Sequence, residues 1–224
     1  MRYIKLTLLL VVLSTLWSCA STVPLDRHFY SRKKVAVIIE VDSIRMSKAG
    51  GQGLLDMALT PGNRFTEPLK AIEPQMQIKE RLKEEMTKIL TSKSKEFVYV
   101  DDNFDYEKLP KFSSPKSEKY FSKKDFRALK TAYNVDEVIY VRANYGLLVS
   151  YYGMIEIGKE GYINISSQVI KLEDNSLMHR ESVMEKMDIK GNWKEGEEFS
   201  NLKTAINLAL DKGIRDLKTK YYVK

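Results

Sequence analysis

Residues 35–41, Val-Ala-Val-Ile-Ile-Glu-Val, are the most restrictive stretch of the chain. A β-branched run with almost no polar alternation fits a strand covered on both faces, which takes helices above and below a sheet. The rest of the chain supplies such helices. After Pro74, Ile78, Leu82, Met86, Ile89 and Leu90 recur at steps of four and three, with Lys79, Glu80, Lys83, Glu84 and Lys88 opposite them. That spacing predicts an amphipathic helix with a core-facing stripe. Residues 97–100 read as a second strand. Phe126, Leu129, Ala132 and Tyr133 give an apolar face to a helix capped by Ser122 and stopped at Asn134. A third strand begins at 138–145 and keeps strand character toward Ile157. Residues 159–161 read as a hairpin turn, 162–172 as an alternating strand, 173–176 as a turn and 177–188 as one more strand. Trp193 is expected to lid the core. Phe199, Leu202, Ile206, Ala209, Leu210, Gly213 and Leu217 line a final helix. The fold class is α/β (α+β): a single mixed sheet of about five strands with helices packed on it, in the order β-α-β-α-β-β-β-α.

Residues 42–74 read as an insertion. Ala49-Gly50-Gly51-Gln52-Gly53 precedes Leu54-Leu55-Asp56-Met57-Ala58-Leu59. The order G-G-x-G has neither a dinucleotide fingerprint nor the terminal Lys-Ser/Thr of a P-loop. These glycines serve either close backbone approach and positive φ, or a backbone cradle for phosphate with Arg45, Lys48 and Arg64 as cations. The leucine-rich stretch either packs as a short helix or faces a partner. Gly50, Gly51, Gln52, Gly53, Leu54, Leu55 and Asp56 therefore make up the candidate partner or ligand loop. Asp101-Asp102-Asn103-Phe104-Asp105 fails as a calcium loop, because Tyr106 and Phe112 stand where Gly and Glu are needed. Residues 102–123 read as a surface loop. With Lys111, Lys116, Lys119, Lys123 and Lys124 this is the most basic region, a solvated loop by default and a peptidoglycan or other polyanion contact as the alternative.

The N-terminus carries the expectation about the compartment. Arg2 and Lys5 precede an aliphatic run over 6–13, and Ser14, Thr15 and Ser18 bring small residues toward a processing site, the layout of a secretory signal. The run is shorter than the roughly 20 apolar residues a spanning helix takes. It ends at Cys19, the only cysteine, so no disulfide framework is expected. Leu16-Trp17-Ser18-Cys19 resembles the bacterial lipobox. The resemblance implies a diacylglyceryl group on the Cys19 sulfur, cleavage between Ser18 and Cys19, and a further palmitate-type chain on the new amino terminus. Ala20 and Ser21, in place of an aspartate, imply the outer membrane, facing the periplasm. The expected organisation is 1–18 signal peptide, 19–32 lipidated tether holding the domain off the bilayer, and 33–224 a single domain. Loss of residues 1–18 lowers the net charge from +7 to +5, a mild excess. No nucleic-acid partner is expected in that compartment.

His28 and His179 are the only histidines, and neither His-x-x-x-His nor Gly-x-Ser-x-Gly occurs, so no enzyme activity, metal or cofactor is expected. Residues 34–41, 98–101, the junction Asn134-Val135-Asp136-Glu137-Val138-Ile139, and Val169-Ile170-Lys171-Leu172 followed by Asp174-Asn175-Ser176 occur in an order that is similar to one envelope α/β domain. That domain belongs to the outer-membrane penicillin-binding-protein activators, the curli secretion lipoprotein and the N-terminal domain of the Tol β-propeller protein. The resemblance spans most of residues 33–220 and leaves 42–74 outside its compact version. No pair of long alternating hairpins is read. The resemblance and the anchor imply a non-catalytic, periplasm-facing lipoprotein acting as an interaction or assembly module, bound to an envelope protein or to copies of itself. Two alternatives stand beside it: a nucleotide or sugar-phosphate binder or enzyme using the glycine loop, and a ring-forming subunit of a secretion or surface-organelle assembly.

Overall fold

The apolar run is the middle strand of a parallel trio. The structure, a computed structural model, describes residues 22–31, 34–60, 62–195 and 197–221; Ser18 and Cys19 lie outside them. Strand β1 (Lys34–Val41) pairs in parallel with β3 (Glu96–Tyr99) on one side and β4 (Glu137–Tyr152) on the other. Antiparallel β5 (Ile155–Lys171) and β6 (Ser176–Asp188) complete the order β3-β1-β4-β5-β6. A sixth strand, β2 (Arg45–Gly51), pairs in parallel with the far half of β4, in line with β1. Five helices pack on this mixed sheet: α1 (Leu54–Leu59), α2 (Thr66–Ile72), α3 (Ile78–Ser92), α4 (Leu129–Tyr133) and α5 (Ser200–Tyr221).

The two-sided burial of β1 explains its lack of alternation. Val35, Val37 and Ile39 point into a core made with α3 and α5, whereas Ala36 and Ile38 point into a second core under Phe126, Leu129 and Val135. All five expected α3 positions are buried. Each such side chain contributes about 1.5–3 kcal/mol relative to exposure. Trp193 caps the larger core, its ring 5.0 Å from that of Phe65.

Several local expectations are corrected. Arg45–Gly51 is a strand, because β4 continues past the end of β1 and offers it an edge. The helix expected from Ser122 begins only at Leu129. The buried Asn175 amide donates to the carbonyls of Ser122 (3.3 Å) and Lys124 (2.9 Å), and its Oδ1 accepts from Phe126 N (3.1 Å), which holds 122–126 in a non-helical path. Asn134 does stop the helix, in the left-handed conformation at φ 50°. The hairpin turn is at Gly153-Met154, not at 159–161, so β4 and β5 run to 16 and 17 residues and form one long hairpin the sequence reading lacked. Gly161 lies within β5. A Cβ there would fall 2.5 Å from Ala205 C and Ile206 N, so glycine serves the close approach of α5.

Residues 22–31, expected as a linker, dock on the domain, with 23–26 along β6. Val23 and Arg180 exchange both ladder bonds at 2.9 Å, Asp26 N donates to Met178 O, and Phe29 is fully buried. His179 Nδ1 donates to Val23 O (2.9 Å), while its Nε2 is buried without a hydrogen-bond partner among the described residues. Burial pushes the His179 pKa down; Glu181 favours the cation and Lys220 opposes it. A folded pKa below the unfolded value means that this contribution is full above about 6.5 and is lost as pH falls below that. Acidification from neutrality is therefore expected to lower the amide protection factors at Val23 and Arg180, once the intrinsic slowing of exchange by acid is divided out, and His179→Gln to flatten that response. Protection factors unchanged by acid in the unsubstituted protein would refute the coupling.

Candidate functional site

The far end of the sheet carries the most unusual surface. There β2 ends, the chain turns through Gln52 and Gly53, and α1 folds back beside the β4–β5 turn. Leu54, Leu55, Met57 and Leu59 on α1, with Tyr152, Met154, Ile155 and Ile157 on the hairpin, are all more than half exposed, Leu54 at 88% and Tyr152 at 75%. Single exposed apolar residues are ordinary, but eight large ones on two adjoining elements form a patch. The six-residue α1 buries none of its side chains, so packing does not account for its leucines.

Polar bonds hold this end in shape. Gln52 Nε2 donates to Gly153 O (2.9 Å) and to Thr60 Oγ1 (3.0 Å), and Gly153 N donates to Gly51 O (2.9 Å), so α1 is tied to the hairpin turn. Gly53 N donates to Asp56 Oδ2 (3.0 Å), which caps α1. Lys48 Nζ donates to Met57 O (3.2 Å) and Thr60 Oγ1 (3.1 Å). Arg64 and Lys159 both pair with Glu156 below the tip. Burial lowers the pKa of Lys159, with the Arg64 charge adding to the effect.

The seven residues of the expected loop lie in one continuous stretch from the end of β2 into α1, with much of their polar surface bonded to neighbouring groups. Gly50 and Gly51 belong to β2, and a Cβ on Gly50, which has φ 98°, would sit 2.0 Å from Tyr151 O. Gly53 N is engaged by Asp56. Of the expected cations, Lys48 is bonded to α1 and Arg64 to Glu156, and Arg45 lines a separate cavity of about 540 Å³ with Ile44, Met46 and Leu69. Leu54 and Leu55 face outward. The sequence signal for this face was their place in a stretch with no helical stripe to bury them.

A second feature went unread in the sequence. At the carboxyl ends of β1 and β3, where crossovers leave toward opposite faces, a cleft of about 340 Å³ is lined by Glu40, Asp42, Asp101, Tyr106 and Arg142 among others. Its groups bond one another. Glu40 accepts from Tyr140 OH (2.5 Å) and Tyr106 N (2.9 Å), and Arg142 donates twice to Asp42 Oδ1 (3.1 and 2.9 Å). Burial first, then the bond to Glu40, raises the Tyr140 pKa far above the ordinary phenol value. The available signal was Glu40 and Arg142, each interrupting a buried apolar strand and paired in register.

No family model matches the chain, and no curated protein matches it. Solved structures similar to it include the putative neuraminyllactose-binding hemagglutinin homolog from Helicobacter pylori, 10% identical over 91% of each chain with a TM-score of 0.38. The hypothetical protein CT253 from Chlamydia trachomatis is 11% identical over 85% of this chain and 98% of that one, with a TM-score of 0.36. Lipoprotein GNA1162 from Neisseria meningitidis is 8% identical over 81% of this chain and 99% of that one, also with a TM-score of 0.36.

Proposed function

We propose that this chain is a lipid-anchored, periplasm-facing envelope protein that acts without catalysis, by docking a protein partner on the apolar tip. The observation that carries the reading is the set of eight exposed apolar side chains on α1 and the hairpin turn, held ready by the bonds of Gln52, Gly53 and Asp56. Water excluded from such a surface favours association, and preformed geometry lowers the ordering cost. The anchor rests on the sequence at 2–19, in which Cys19 closes a signal-like run.

Capture after cross-linking from detergent-solubilised envelopes tests the docking. Leu54→Ser/Leu55→Ser alters side chains that the fold leaves in water, so stability is expected to stay within about 0.5 kcal/mol. Recovery of a defined partner is expected to fall by about tenfold or more, the scale of a hot-spot loss. Equal recovery in both chains, or no partner in either, would sink the reading. Sizing of the captured complex separates a different protein from further copies of this chain. Palmitate incorporation, expected to vanish in Cys19→Ala, tests the anchor independently.

A further inference from the structure

A cavity of about 730 Å³ opens on the loop between β3 and α4, at the end of the sheet opposite the apolar tip. Five lysines line it, Lys111, Lys116, Lys119, Lys123 and Lys124, and no carboxylate does. Asp174 reaches Lys119 (3.0 Å) and Glu107 reaches Lys124 (3.5 Å) from outside. Lys111, Lys116 and Lys123 are exposed and make no ion pair among the described residues. Tyr120 adds an apolar wall.

Placement says what this charge meets. A neighbouring cavity of about 600 Å³ shares Lys119 and Tyr120 with the first and is bounded on its other side by residues 23–28. The basic cavity therefore adjoins the docked N-terminal segment. From Val23 to Cys19 is four residues, which span at most about 14 Å however they are arranged. Val23 lies level with Tyr140 through Arg180 and Gln168, so the hairpin turn is about 40 Å away along β4, beyond that reach. The link thus keeps Cys19 near the docked segment, which the lysine cavity adjoins, and out of reach of the apolar tip.

We infer that this cavity seats the phosphate-bearing headgroups of anionic lipids in the membrane that holds Cys19. The inference rests on the anchored reading above. A lipid chain and a cationic patch act together, each adding to the residence of the other, and the patch acts only within about a Debye length of the surface. The closeness of the link favours lipid headgroups over a wall polymer farther out.

The test uses residues 19–224 with Cys19→Ser, which contain every described element and carry no lipid. Flotation compares vesicles of phosphatidylcholine with vesicles that also contain phosphatidylglycerol. Partition to the mixed vesicles is expected to exceed that of Lys111→Gln/Lys116→Gln/Lys123→Gln on the order of 100-fold, and to fall with salt. Circular dichroism should be unchanged, since all three side chains are exposed. Equal partition to both vesicle types, or a triple variant that floats like its parent, overturns the inference. Loss of flotation in Leu54→Ser/Leu55→Ser alone overturns it too, by moving the contact to the other end. Saturable binding of inorganic phosphate that displaces the chain from vesicles would assign the cavity to a free phosphate instead. Because this chain has no Cys19 thiol, its result is independent of palmitate incorporation, and the two readings fail separately.

Discussion

Lys95→Met is expected to lower the unfolding free energy by about 3–5 kcal/mol, the cost of removing one partner from a buried ion pair. Lys95 Nζ lies 2.8 Å from Glu137 Oε2, and both side chains are fully shielded from water. The same ammonium donates to Phe29 O (2.6 Å) and sits 4.4 Å from the centroid of the Phe29 ring. Methionine keeps most of the stem volume but takes this cation from a buried carboxylate and this donor from a buried carbonyl. Denaturant titration should show the lower midpoint with little change in slope. Lys95→Met/Glu137→Gln should recover part of the loss, because the charge is then gone, while the Phe29 carbonyl still costs about 1–3 kcal/mol. A single variant as stable as its parent would show that water reaches Glu137, and would remove this clamp from the account.

The clamp matters because of what it joins. Glu137 opens β4, Lys95 precedes β3, and Phe29 belongs to the segment that leads back toward Cys19. One buried triad thus ties the parallel half of the sheet to the N-terminal segment. Together with the Val23–Arg180 bridge, it fixes where the described chain, running back to residue 22, leaves the domain. In the sequence, Lys95 and Glu137 are two unremarkable charges 42 residues apart. Nothing in local spacing marks them as partners, since their meeting is a product of strand register: Lys34 pairs with Glu96 and Val35 with both Phe97 and Glu137.

The same distinction explains what was legible. The α3 stripe and the β1 run were readable because burial of a whole element imposes a period on its residues. Phe29, by contrast, sits in a ten-residue stretch of mixed character with Asp26, Arg27 and His28, too short for any period to appear. The early part of the expected helix at 122–133 failed because Asn175, some fifty residues on, supplies bonds that compete with the helix. At the tip, composition marked the glycines and leucines as unusual. Which of them mattered for shape and which for surface depended on the neighbouring hairpin turn, whose position the sequence misplaced by about seven residues through Gly161.

Gly161→Val is expected to cost about 3 kcal/mol or more, at the upper end for overpacking. The valine Cβ would begin 2.5 Å from the backbone of Ala205 and Ile206, atoms that cannot turn aside as a side chain can. Relief requires α5 to lift from β5, which would strip contacts from Leu202, Ile206 and Leu210. Gly213→Ala supplies the contrast. Its Cβ would meet Ile163 Cγ2 and Ile165 Cδ1 at 3.2 Å, contacts that a shift of a few tenths of an ångström relieves, and alanine gains about 0.8–1.0 kcal/mol of helix propensity over glycine. The two small substitutions on facing elements should therefore separate: Gly161→Ala clearly destabilising, Gly213→Ala near neutral in the same denaturant titration. Equal effects would mean that the two elements part easily. Gly161 pairs with Leu147, just past the end of the β1 pairing, so this close approach seats α5 where the β4–β5 hairpin runs on toward the apolar tip.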